Sequence, residues 1–86
     1  MNPILYIKPG CPWCNDALAF FKQKGLQLTV KDVLSDANAM RRMRDISGQT
    51  KTPTLEYGDF VVADFDTGEF MAAVNKNPGV KAELGL

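Results

Sequence analysis

The chain has 86 residues, 45% of them apolar and 23% charged, a size and balance that give one soluble domain, 1–86, with a core of its own. Basic and acidic residues number ten each, so no charge excess marks nucleic acid or an anionic membrane as a partner, and a monomer is expected. No apolar run exceeds five residues, too short for a transmembrane span or the apolar stretch of an export signal, and the expected compartment is the cytoplasm.

Ile4-Leu5-Tyr6-Ile7 is a continuous apolar run closed by Lys8-Pro9-Gly10, the pattern of a buried strand entering a turn. Cys11 falls at an N-cap position, with Pro12 at the first helical position, where a missing N–H costs nothing. Cys14, Ala17, Leu18 and Phe21 recur at helical spacing on one face of a helix expected to end near Gly25. Leu26, Leu28 and Val30 alternate and predict a second strand running to about Val33. Ser35 or Asp36 caps a second helix with Ala39, Met40, Met43 and Ile46 on its core face and Gly48 as its stop. On its other side Arg41, Arg42 and Arg44 read as a solvated face. Thr54–Tyr57 and Phe60–Ala63 flank Gly58-Asp59, a hairpin connection. Asp66-x-x-Glu69 has the form of a capping box opening a third helix through Phe70, Met71 and Val74, and Asn77-Pro78 starts a short last helix.

The resulting order, β-α-β-α-β-β-α, predicts an α/β fold. Its first βαβ unit makes parallel strands through a right-handed crossover, and the hairpin adds antiparallel ones. Helices then cover both faces of a mixed four-stranded sheet.

The chemistry is concentrated in Cys11-Pro12-Trp13-Cys14. Two thiols at this spacing at a helix start can close into a disulfide and reopen without unfolding the chain. The helix N-terminus favours a thiolate, and Lys8 could add a full positive charge. Helical spacing separates the pair: Cys14 shares the core-facing stripe, while Cys11 lies at the tip within reach of solvent. Structural zinc needs four ligands, and the chain has no third cysteine and no histidine, so no metal is expected.

With these elements in place the chain resembles a glutaredoxin, a small member of the thioredoxin-fold superfamily. The matching residues are Lys8-Pro9-Gly10-Cys11-Pro12-Trp13-Cys14, the Thr52-Pro53 pair before the hairpin, and Phe65-Asp66-Thr67 before the third helix. CPWC is close to the CPYC of many dithiol glutaredoxins. The resemblance implies that Cys11 is the nucleophile and Cys14 the resolving thiol, and that glutathione is the co-substrate. It further implies a cis bond before Pro53 and a Thr52 backbone that pairs with glutathione or a substrate chain. Lys8 would meet a glutathione carboxylate, Trp13 would roof the dithiol, and the turn Phe65-Asp66-Thr67 would receive the γ-glutamyl end. Two departures stand out: Ala63-Asp64 replaces the family's frequent Gly-Gly, and uncharged Thr67 stands where a carboxylate often meets the γ-glutamyl ammonium.

The expected function is therefore reduction of protein disulfides and glutathionylated proteins. One alternative is a glutaredoxin-like redoxin recycled by thioredoxin reductase and donating electrons to ribonucleotide reductase. Another is a glutathione-dependent iron–sulfur cluster carrier.

Overall fold

The computed structural model describes residues 1–86. The elements run β1 (Ile4–Ile7), α1 (Pro12–Gln23), β2 (Thr29–Asp32), α2 (Ala37–Ser47), β3 (Thr54–Tyr57), β4 (Phe60–Ala63), α3 (Thr67–Asn75) and α4 (Pro78–Leu84). The strands form one four-stranded sheet in the order β2-β1-β3-β4. β1 runs parallel to β2 and antiparallel to β3, and β3 pairs antiparallel with β4. This is the predicted α/β, thioredoxin-like arrangement.

Strand alternation builds the layers. Successive side chains point to opposite faces, so Leu5 and Tyr6, neighbours on β1, enter different cores. Leu5 and Leu55 pack against Ala17 and Phe21 of α1, Phe70 and Val74 of α3, and Leu84 of α4. Phe21 and Phe70 meet edge-to-face with ring centroids 4.9 Å apart, and Phe65 joins them from the loop before α3. Tyr6 belongs to the second, smaller core with Val33 and with Ala39 and Met43 of α2. Helices thus cover both faces.

Caps fix most helix ends where the sequence places them. Asp36, not Ser35, caps α2, its carboxylate accepting from the Asn38 and Ala39 amides, and Gly48 closes that helix in the left-handed conformation. The expected second strand is shorter than its alternating pattern. Only Thr29–Asp32 pair, because β1 offers only Ile4–Ile7 as partners. Leu26 and Leu28 instead pack against the larger core as non-strand chain, and Val30 faces solvent on the sheet's edge.

Arg42 departs from the solvated face predicted for α2. Its guanidinium donates to Glu56 Oε2 at 2.6 Å, while Tyr6 Oη donates to Oε1 of the same carboxylate at 2.6 Å. The Glu56 side chain is 9% exposed and that of Arg42 59%, so the arginine reaches in from the rim to cover a buried anion. Burial by itself raises the Glu56 pKa; the hydrogen bonds from Arg42 and Tyr6 outweigh it and hold the carboxyl below its ordinary value.

Candidate active site

β1 delivers the chain to the turn Lys8-Pro9-Gly10, and α1 begins immediately after it. Cys11 is the N-cap of that helix, in extended conformation, and Pro12 starts the first turn. In most helices the N-cap acceptor is an oxygen. Here it is sulfur: the Cys14 amide donates to Cys11 Sγ at 3.2 Å.

A second element completes the surroundings of that sulfur. The Thr52–Pro53 peptide is cis, and Thr52 is buried beside Cys11. The Thr52 hydroxyl lies 3.7 Å from Cys11 Sγ, placed to donate to a thiolate, and the Thr52 carbonyl oxygen lies 3.8 Å away, placed to accept from the thiol. The one residue therefore serves both protonation states. Burial pushes the Cys11 thiol up, yet hydrogen bonds from the Cys14 thiol and amide, the Thr52 hydroxyl and the Trp13 amide outweigh it, and the net direction is down.

Cys14 has the opposite character. It is 1% exposed and packed one turn beneath Cys11. Burial raises its pKa first, followed by its hydrogen bond to Cys11 and the negative charge there. Both cysteines are free. The arrangement sets an accessible sulfur whose thiolate is favoured above a shielded thiol that holds its proton more tightly, which is the asymmetry needed for thiol–disulfide exchange.

Lys8 ties its amine to the backbone just before Thr52. Its Nζ donates to the Thr50 carbonyl at 2.8 Å, tying the end of β1 to the loop before the cis peptide. It still lines, with Cys11, Trp13, Lys51, Thr52 and Asp64, an open groove of about 540 Å³. A smaller groove of about 290 Å³ lies on the other side of Trp13, walled by Asp64, Phe65, Asp66 and Glu69. Trp13 is 60% exposed and belongs to both.

Of the turn before α3, Phe65 is buried in the larger core while bordering the smaller groove. Asp66 is the α3 N-cap, and Thr67 opens the helix without lining either groove. Asp64 adopts φ 52°, a left-handed conformation that glycine reaches freely and aspartate tolerates better than most residues. The backbone bend is thus kept although the glycine is gone. Its amide donates to the Pro53 carbonyl at 2.9 Å, and its carboxylate lies 4.0 Å from Lys51 Nζ. Sequence reasoning missed Glu69 as a groove residue; the capping-box spacing was the signal pointing to it.

Residues 4–62 match the glutaredoxin family. This chain is a glutaredoxin-family protein. A curated relative, an uncharacterized glutaredoxin-like 8.6 kDa protein from the rubredoxin operon of Clostridium pasteurianum, is 25% identical over 72 residues, covering 84% of this chain and 96% of the relative. The thioredoxin-like protein BC3987 is 28% identical with a TM-score of 0.75, the match covering 84% of this chain and 99% of that one. A glutaredoxin from Archaeoglobus fulgidus shares the fold with a TM-score of 0.74 at 20% identity, over 85% of each chain. Family and fold together support a thiol redox function.

Proposed function

We propose that the protein is a glutathione-linked thiol–disulfide oxidoreductase of the cytoplasm, acting on protein disulfides and glutathionylated proteins. The observation that carries this reading is the sulfur of Cys11, held by the Cys14 amide and the Thr52 hydroxyl above a buried second thiol. The Cys11 thiolate attacks one sulfur of the substrate disulfide. A bond forms between Cys11 Sγ and that sulfur, the substrate S–S bond breaks, and the departing thiolate takes a proton from water.

Formation of the mixed disulfide removes the negative charge at Cys11, and with it two of the influences that keep the proton on Cys14. Cys14 then loses its proton more readily and attacks Cys11 Sγ. The substrate leaves as its second thiol, and Cys11–Cys14 becomes the disulfide. One glutathione thiolate opens that disulfide at Cys11; a second displaces the first as oxidised glutathione and restores the dithiol. A glutathionylated substrate needs only Cys11.

A second reading keeps the chemistry and changes the electron source to a thioredoxin reductase, with ribonucleotide reductase as an acceptor. The carboxylates of Asp64, Asp66 and Glu69 beside Trp13 leave room for it, because they oppose the γ-glutamyl carboxylate of glutathione even where one of them meets its ammonium. Turnover of a model disulfide with glutathione, glutathione reductase and NADPH, compared with turnover by thioredoxin reductase and NADPH, separates the two. Substantial turnover is expected with the glutathione system. Activity with thioredoxin reductase alone would assign the second reading.

A further inference from the structure

Trp13 stands between two grooves that differ in charge. Lys8 and Lys51 border the one that holds Cys11, Asp66 and Glu69 border the other, and Asp64 reaches both. A polypeptide joined through sulfur to Cys11 extends in two directions from the reacting atom, and an arm directed past Trp13 would enter the smaller groove.

A helix N-terminus ordinarily welcomes an anion, through open amides and a partial positive charge. At α3 part of this welcome is already used. The Asp66 amide donates to Glu69 Oε1 at 3.0 Å, and the Glu69 amide donates to Asp66 Oδ1 at 2.7 Å. Both anions at this helix start belong to the chain itself. Lys51 approaches Asp64, while neither Asp66 nor Glu69 has a basic partner. An acidic arm entering here meets an occupied amide and carboxylates of like charge. A basic arm meets those carboxylates with opposite charge, beside the indole of Trp13.

We infer that this wall of the cleft selects a basic side chain next to the reacting sulfur of a polypeptide disulfide, and that Glu69 sets the preference. The inference rests on the oxidoreductase reading and names its substrate class. It applies to polypeptides: the arm is a side chain flanking cysteine.

The test uses homodimeric disulfides of capped tripeptides with cysteine at the centre, glutamine on one flank, and lysine, glutamine or glutamate on the other, in both orders. Rates of reduction by the reduced full-length protein are measured at low salt. At one flank the order is expected to be lysine, then glutamine, then glutamate, spanning about two- to fivefold for partly exposed charges, and flattening in high salt. Glu69→Gln keeps an oxygen for the reciprocal cap and removes the charge, so it shrinks the lysine-to-glutamate ratio without melting α3. Asp64→Asn, which retains tolerance of positive φ, shrinks it as well. Equal rates for all three side chains at both flanks overturn the inference, as does a ratio that survives in both variants. No reduction of any peptide by the dithiol protein overturns the oxidoreductase reading instead.

Discussion

Cys11 and Glu56 are both partly or wholly enclosed groups whose anionic forms are favoured by hydrogen-bond donors, on opposite faces of one sheet, and the two settings serve different ends. Each Glu56 oxygen has its own donor at 2.6 Å, from Tyr6 and from Arg42, and the carboxylate is sealed beneath α2. Cys11 has more distant donors, at 3.2 Å and 3.7 Å, and an open groove before it. The first anion is satisfied by the fold and is inert. The second is favoured by its donors and left open to the groove. Reactivity here comes from donors that stop short of enclosing the sulfur.

The largest expected break of this contrast is Cys11→Ser, which takes reduction of disulfides and glutathione mixed disulfides to background, since the thiolate is the nucleophile. Cys14→Ser should retain deglutathionylation and lose intramolecular reduction of protein disulfides. A glutathione-coupled assay with both substrate types would falsify these roles if the two variants exchanged behaviour.

Glu56→Ala should cost stability on the inert side, about 1–3 kcal/mol, because it strands the buried Tyr6 hydroxyl. Urea unfolding reads the loss, and the alkylation rate of Cys11 in the same variant should match the unsubstituted protein. Tyr6→Phe should cost less, about 1 kcal/mol, by removing the hydroxyl along with its need for a partner.

The pH responses sharpen the comparison further. The folded-state pKa of Glu56 lies below its unfolded value, so its contribution to stability is present above the unfolded pKa and is lost as pH falls through the folded one. Unfolding midpoints should therefore drop on acidification, and that acid-side drop should shrink in Glu56→Gln. For Cys11, iodoacetamide alkylation should rise with pH about a midpoint below that of an ordinary cysteine. Thr52→Val removes one donor and should move that midpoint upward; a midpoint left in place would show that the hydroxyl does not help hold the thiolate.

The placement of the two cysteines was legible in the sequence because helical periodicity is local: capping put Cys11 at the tip, and spacing put Cys14 on the buried stripe. The capping box at Asp66 and Glu69 was legible for the same reason. Glu56 and Arg42 were not, because their pairing depends on β3 lying beneath α2, a long-range consequence of the β2-β1-β3-β4 order. Strand length in β2 was overread, since alternation in Leu26, Leu28 and Val30 says nothing about how much partner strand is available. The hold of the Thr50 carbonyl on the Lys8 amine was not legible either, since proximity in sequence to Cys11 gives no hint of it.

Leu5 and Tyr6, adjacent on β1 and each anchoring a different core, have a consequence for how the molecule opens. Neither layer of helices can peel away without exposing one side of a strand whose other side fastens the remaining layer. Release of α1, and of the dithiol with it, is thereby tied to disruption of the whole sheet. Amide protons in β1 should accordingly exchange with deuterium only through global unfolding, even while the loop that carries Asp64 exchanges freely.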